Sequence, residues 1–296
     1  MKNRRNLSIG DKAFDFGVYF IAGLIALICL YPLYLVLINS FSDPFAVAKG
    51  EVVIIPKGFS FDAYKEAFKS GDIMRGYANS LFYLFFGVII NMLLTIPAAY
   101  ALSKQHMKGR NAIMMMIVFT MYFSGGLIPH YLMVRDLGLI NTRAVVLLEG
   151  AVTTTNLIIA RTYFASSMPK ELEEAAEIDG CNGPQVFLKV VLPLSKAMLG
   201  VILLYYAVAR WNNYTSSLYY QPRAEELHSL QMVIKQMVLQ MQAAANAESE
   251  MAEYYANLFN QIKYSVIVIA SLPLLVLYPF LQKYFEKGVM IGSVKG

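Results

Sequence analysis

The stretch 161-RTYFASSMPKELEEAAEIDGCNGPQVFLKVVLPLSK-196 is the most informative part of this 296-residue chain. It predicts two short helices joined by a turn. Pro169 suits a first helical position, because the N–H that proline lacks would have no intrahelical partner there. Gly180 predicts a left-handed stop at the end of the first helix, and Gly183-Pro184 separates that helix from the second.

The first of these helices carries acidic and small side chains in a regular pattern. Negative charge lies at the positive end of the helix dipole, on Glu171, Glu173 and Glu174. Small or short side chains recur at spacings of three and four residues, on Leu172, Ala175, Ala176 and Asp179. This spacing predicts a narrow face that another protein can approach closely. The same pattern also fits an amphipathic helix in the membrane interface, with Gly180 serving only as its cap.

Outside this stretch the chain is strongly apolar, with 57% hydrophobic and 15% charged residues. Soluble domains carry about 25% charged residues, so an ordinary soluble enzyme is excluded. A bilayer span must satisfy its backbone polar groups internally, and the composition therefore predicts an all-α membrane protein. The two cysteines, Cys29 and Cys181, do not suggest a disulfide framework. The net charge of +5 is spread between apolar runs, which does not indicate a nucleic-acid-binding face.

Six apolar segments are long enough to cross the membrane, for which a helix needs about 20 residues. They are 14–40, 78–103, 113–130, 144–160, 197–220 and 264–282. The first segment follows a basic tail, but it is too long and unbroken for a cleavable signal. The resulting organisation is a cytoplasmic tail over 1–13, a six-span domain over 14–282 with a cytoplasmic loop at 161–196 and an outer loop at 221–263, and a cytoplasmic tail over 283–296.

The distribution of Lys and Arg sets the orientation. The segments predicted to lie inside are 1–13, 104–112, 161–196 and 283–296, and they hold 14 basic residues in 72. The segments predicted to lie outside are 41–77, 131–143 and 221–263, and they hold 10 in 93. Since basic residues are concentrated in cytoplasmic loops, both termini are expected in the cytoplasm.

The loop contains a spacing that resembles the signature of bacterial ABC importer permeases. This spacing runs from Glu174-Ala175-Ala176 through Gly180 and Val190 to Leu192-Pro193, with Val190 in the place usually held by isoleucine. Further motifs resemble the carbohydrate-uptake branch, in particular its smaller, maltose-permease-like subunit with six spans. They are Ile128-Pro129-His130-Tyr131-Leu132, Leu137-Gly138-Leu139-Ile140-Asn141-Thr142, Pro169-Lys170-Glu171-Leu172 and Trp211-Asn212. The similarity extends over most of 78–296.

The resemblance implies a permease of six transmembrane helices with a cytoplasmic coupling helix, placed in the bacterial cytoplasmic membrane. Its implied partners are a second homologous permease subunit, two ATPase subunits, and an extracytoplasmic solute-binding protein that delivers a saccharide. The chain has no phosphate-cradling G-x-x-x-x-G-K-[ST] loop, so the ATPase subunits would bind ATP and Mg. No catalytic residue, metal ligand or cofactor is predicted in the chain itself.

The resemblance also assigns roles to residues of the loop and the tail. Contact with the ATPase is implied for Glu174, Ala175, Ala176, Asp179 and Gly180, and the signature is completed by Val190, Leu192 and Pro193. The tail from Met290 resembles that of maltose-type permeases, in which this end reaches into the ATPase dimer. Its implied contacts are Gly292, Ser293, Val294, Lys295 and Gly296. A frayed terminus is the alternative, because small and polar residues favour disorder.

Candidate cargo contacts are the charged residues within the spans, Glu149 and Arg210, because such charges are costly and usually face a partner or a watery cavity. The four residues directly after Arg210 carry an aromatic face and amide groups of the kind that bind sugars. They are Trp211, Asn212, Asn213 and Tyr214. If Arg210 lines the path, an acidic saccharide is favoured. For the two charges the alternatives are a structural ion pair or a side chain that snorkels toward the membrane interface. For the aromatic residues the alternative is interfacial anchoring.

The function expected from these observations is import of a sugar, most readily an oligosaccharide, driven by ATP and dependent on a binding protein. One alternative is an ABC importer permease for another kind of solute. Another is a secondary transporter, which would be expected to show broken or inverted helix pairs and several charges at mid-membrane depth. A membrane enzyme is disfavoured, because His106, His130 and His228 lie on different segments without nearby metal ligands.

Overall fold

The structure is a computed structural model, and it describes residues 9–69, 71–245, 259 and 261–276. These residues form helices and connecting turns without an extended strand, so the predicted all-α class is confirmed. The helices are α1 (Ile9–Ser40), α2 (Pro44–Ala48), α3 (Asp62–Lys69), α4 (Asp72–Ser103), α5 (Arg110–Tyr122), α6 (Leu127–Asp136), α7 (Arg143–Leu148), α8 (Thr154–Ser166), α9 (Lys170–Ile178), α10 (Gly183–Val186), α11 (Leu192–Leu194), α12 (Lys196–Trp211), α13 (Thr215–Tyr220), α14 (Leu230–Ala245) and α15 (Gln261–Val276). A π-helical turn over Phe187–Val191 joins α10 to α11.

Two of the described helices are long and apolar enough to cross a membrane. They cover Phe14–Ser40 and Asp72–Ser103, where the sequence predicts spans at 14–40 and 78–103. Two bent pairs raise the number to four if each pair is one span, namely α5 with α6 and the helical stretch Gly183–Leu194 with α12. The described part of the segment 264–282 lies on α15, and the remainder lies outside the described residues. The total of six crossings stays a prediction.

Three of the predicted segments are divided rather than continuous, which corrects their boundaries. Segment 113–130 ends its first helix at Tyr122 and continues in α6 at an angle of 117°. Segment 144–160 is interrupted between α7 and α8, and segment 197–220 between α12 and α13. Gly126 lies directly before α6 and Gly150 lies just after the end of α7, with φ values of +88° and +64° that glycine adopts at little steric cost.

One compact unit contains the described residues 9–69, 237–245, 259 and 261–271. Within its described part, Ile38, Val47 and Val52 are buried together, and Tyr264 packs against them. The end of α1 is fixed by two side chains of α15, since Gln261 Nε2 and Ser265 Oγ donate to the Ser40 carbonyl at 3.4 and 3.2 Å. This unit therefore joins the first helix to the described start of the last one.

The described residues 71–236 and 272–276 belong to the other unit, and α4 is its central described helix. Helix α4 packs on α7, α8 and α12. Apolar side chains of α4, α8 and α12 form one core, including Ile96, Ala99, Leu102, Leu157, Ala160, Phe164, Met198, Ile202 and Tyr206. The buried Tyr206 hydroxyl accepts from the Thr153 N–H at 3.2 Å and shares a 2.6 Å hydrogen bond with Thr95 Oγ1. The loop 161–196 also contributes to this core, through Met168, Ala176, Val186 and Val191.

Candidate functional site

The first helix of the loop 161–196 is α9, which begins directly after Pro169. It therefore starts one residue later than the proline signal predicts. Gly180 follows with φ +84°, so the predicted left-handed stop is confirmed. A Cβ at this position would meet nothing within 4 Å. The glycine is thus required by the backbone conformation and not by a close neighbour.

The side chains of α9 divide between a buried and an exposed face. Ala176 is buried and belongs to the apolar core. Glu174 and Ala175 are exposed, and Ile178 is 86% exposed although it is a large apolar residue. The single narrow face predicted for this helix is therefore corrected, because Ala176 points into the protein while its neighbours in the signature remain open to a partner.

The second half of the loop is fixed by local hydrogen bonds and by the core. Asn182 and Gln185 form a capping box, in which each side chain accepts from the other residue's backbone N–H at 3.0 and 2.9 Å. Val190 and Leu192 pack against the core, whereas Pro193 is exposed. After Leu194 the chain turns by 84° into α12. Some signature residues therefore pack within the protein, and others are exposed on its surface.

A polar groove of about 490 Å³ lies beside α9. Its charged lining residues are Lys104, Arg110, Arg161, Glu173, Glu174 and Glu177. Across this groove Lys104 Nζ forms an ion pair with Glu173. In the sequence, Lys104 is only one of the basic residues of the segment 104–112, because a separation of 69 positions from Glu173 leaves no local signal of their ion pair.

Arg210 lies at the end of α12, and its side chain is held by protein groups. The residue is 7% exposed. Its guanidinium donates to the carbonyls of Val146 and Leu147, the latter at 2.9 Å, and to Asn91 Oδ1 at 2.8 Å. The two carbonyls belong to the last turn of α7, where helical carbonyls lack intrahelical partners. These contacts favour the structural alternative for Arg210 over direct contact with cargo.

Space for this arginine is provided by Gly87 on α4. A Cβ at Gly87 would lie 2.9 Å from Arg210 Nε and 3.1 Å from its Cδ. Contacts under 3.0 Å are essentially not seen for real Cβ atoms. The absence of a side chain at Gly87 therefore lets α4, α7 and α12 meet around one guanidinium.

The second candidate charge, Glu149, follows α7 directly and is partly exposed. Its carboxylate accepts a hydrogen bond from Ser216 Oγ at the start of α13. The charge interacts electrostatically with Arg210, but the described contacts contain no direct ion pair between them. Glu149 and Arg210 thus lie in one region, each with its own protein partners.

The four residues after Arg210 are not brought to one common surface. Trp211 is buried, with its ring centroid 6.1 Å from that of Tyr77. Asn213 is partly exposed, and its side-chain oxygen accepts from the N–H of Ser216, in the first turn of α13, at 3.1 Å. Asn212 and Tyr214 are exposed, and Lys235 Nζ lies 4.5 Å from the Tyr214 ring centroid. The proposed tail contacts at 292–296 lie outside the described residues.

The chain belongs to the family described as "Binding-protein-dependent transport system inner membrane component", whose pattern matches residues 73–291. This membership confirms the family indicated by the loop signature. The chain is therefore a membrane component of a binding-protein-dependent transport system.

Similar proteins cover nearly the whole chain. The "Polygalacturonan/rhamnogalacturonan transport system permease protein YtcP" of Bacillus subtilis is 38% identical over 97% of this chain and 99% of its own length. "Protein LplC" of the same organism is 39% identical over 96% of each chain. A solved structure described as "a bacterial ABC transporter involved in the import of the acidic polysaccharide alginate" shares 35% identity and a TM-score of 0.82, covering 95% of this chain and 99% of the other. The predicted fold of an ABC importer permease is thus confirmed.

Proposed function

We propose that this chain is the permease subunit of an ATP-driven importer for an acidic oligosaccharide. The observation that carries the proposal is similarity over nearly the full chain to a permease named for polygalacturonan and rhamnogalacturonan transport and to a transporter of the acidic polysaccharide alginate. Polygalacturonan and alginate are both polymers of sugar acids. Two relatives of matching length and similar cargo chemistry support an anionic saccharide more strongly than a neutral one.

The proposed transporter needs further chains. A second homologous permease subunit completes the path, an extracytoplasmic binding protein delivers the saccharide, and two ATPase subunits bind ATP and Mg. This division of labour is supported by the family description, which specifies a binding-protein-dependent system. The chain itself then serves as a conformational element whose states differ in their contacts with the ATPases.

Helix α9 is the proposed contact with the ATPases. Glu174, Ala175 and Asp179 are exposed on it, and Ile178 adds an apolar side chain that is open to a partner. Gly180 ends the helix beside these residues. We expect Glu174 to pair with a basic ATPase group while Ala175 permits close approach. The tail residues 292–296 are a second proposed contact with the ATPase dimer.

The proposed cargo contacts are Asn212 and Tyr214, since both are exposed. Arg210 and Trp211 are proposed to position this segment, because both are buried at the end of α12. Glu149 is partly exposed near the same break and stays a candidate for the path. Selectivity for acidic cargo would then arise from the path together with the delivery protein.

The proposed function is tested by uptake into proteoliposomes that contain the chain with its permease, ATPase and delivery partners. We expect ATP-dependent uptake of a short oligogalacturonate and little uptake of a neutral galacto-oligosaccharide of the same length. A complex with an inactive ATPase subunit serves as the control and should accumulate neither. Equal uptake of both saccharides would refute acidic selectivity, and uptake without ATP would refute the importer mechanism.

A further inference from the structure

The ion pair between Lys104 and Glu173 is less exposed than the other ion pairs of the described residues, and it joins positions that lie further apart in the sequence. Its side chains are 22% and 16% exposed, and it joins positions 69 apart. By contrast, Lys57–Glu51 and Lys65–Asp62 join near neighbours whose side chains are 46% to 76% exposed. Charges that are partly withdrawn from solvent are screened less by salt. Removal of one partner would leave the other charge partly buried and unpaired.

Lys104 is fixed from the side of the membrane helices. It directly follows Ser103, the last residue of α4, and its backbone N–H donates to the Ala101 carbonyl at 3.2 Å. Its ammonium group lies 4.2 Å from the centroid of the Tyr100 ring, within the range of a cation–π interaction. The Lys104 side chain therefore extends from the inner end of α4 over an aromatic surface.

The aromatic surface beneath Lys104 is shared by three elements. The Tyr100 ring lies 5.6 Å from Phe164 of α8 and 4.9 Å from Phe187 of the π-helical turn, measured between centroids. Such edge-to-face and tilted contacts restrict the ring orientation. Lys104 thus packs on an aromatic cluster to which α4, α8 and the π-helical turn each contribute one ring.

Glu173 lies on the face of α9 that is turned toward the protein core. Ala176, three positions further on, is buried in the core, and residues at this spacing share a helix face. Helix α9 otherwise packs mainly on α10 and the π-helical turn, within its own loop. The ion pair therefore adds a direct attachment of α9 to α4, while Glu174, Ala175 and Ile178 remain available on other sides.

From these contacts we infer that Lys104 and Glu173 are positioning residues that transmit movement of α9 to α4. The inference rests on the proposed coupling of α9 to the ATPases. Displacement of α9 by a docked ATPase would act on α4 through a partly buried ion pair. Without the pair, α9 would remain attached chiefly to its own loop, and ATPase closure would be less effective at moving α4.

The test uses the complete importer in proteoliposomes and measures saccharide transported per ATP hydrolysed. Lys104→Met and Glu173→Gln should each lower this ratio by about fivefold or more, the lower end of typical coupling between sites. The double variant should fall no further than either single one, because both remove the same interaction. Lys104→Arg should retain most of the ratio. Glu171→Gln, an exposed acid on the same helix, is the matched control.

A second measurement does not depend on the cargo or on transport. Amide hydrogen exchange over 170–178 should be faster in Lys104→Met and Glu173→Gln than in the assembled wild type, and unchanged in Glu171→Gln. Unaltered exchange in the two variants, or additive losses in the double variant, would overturn the role of the pair. Failure of the wild-type complex to take up saccharide would instead refute the proposed function, while the exchange result would still decide the attachment.

Discussion

At the scale of single residues, the same amino acid has different structural roles at different positions in this chain. Gly180 supplies a left-handed backbone conformation with open space around it, whereas Gly87 supplies room for a neighbouring side chain. Ala175 and Ala176 are adjacent in the signature, yet one is exposed and the other is buried. Motif spacing identified Gly180 and both alanines, but it did not separate these duties because burial depends on distant segments.

Gly180 gives a prediction at this scale. Gly180→Ala forces a non-glycine residue to φ +84° and should cost about 1–2 kcal/mol through backbone strain alone. Gly180→Asn should cost less, because asparagine tolerates the left-handed region better. Thermal unfolding of the purified protein and transport per ATP would be measured together. If alanine matched the wild type while asparagine did not, the backbone explanation would fail.

At the scale of elements, apolar runs were easier to predict than the breaks within them. The long helices α1 and α4 follow directly from uninterrupted apolar sequence. The breaks after Tyr122, Leu148 and Trp211 were missed, because averaging over a window of apolar residues conceals short interruptions. The contact of Arg210 with α7 joins residues 63 and 64 positions apart and has no local signal.

Gly87 tests how strongly α4, α7 and α12 depend on the buried arginine. Gly87→Ala should displace Arg210 from its acceptors and destabilise the protein by about 1–3 kcal/mol, as overpacking of a filled site does. Gly23→Ala is the matched control, because a Cβ at Gly23 would meet nothing within 4 Å. The readout is the midpoint of thermal unfolding in detergent. Equal midpoints for the two variants would contradict the close approach at Gly87.

At the scale of the whole molecule, the described residues expose a large apolar surface, and contact of such a surface with water is unfavourable. Only 6% of the most apolar window of α1 is buried within the chain. Lipid and other subunits are the surroundings that such a helix requires. Composition alone predicted this membrane setting. It did not predict which faces are covered by partners, since that depends on chains with their own sequences.

The orientation of the molecule can be measured directly. In a Cys29→Ser, Cys181→Ser background, Lys65→Cys should react with a membrane-impermeant maleimide in right-side-out vesicles. Glu177→Cys should react only after permeabilisation, because the loop 161–196 is predicted to be cytoplasmic. Both native residues are exposed, so both engineered thiols are accessible within the chain. Labelling of Glu177→Cys in sealed vesicles would show that the predicted orientation is wrong.

The division of the loop signature between buried and exposed residues has a consequence for evolution. Ala176, Val190 and Leu192 pack within the protein, so changes there are limited by the permease's own folding. Glu174 and Ala175 are exposed, so changes there would be limited by the proposed ATPase contact and not by the protein interior. If the proposed contact holds, a permease of this kind would adapt to a different ATPase by altering a few surface positions while its interior stays the same.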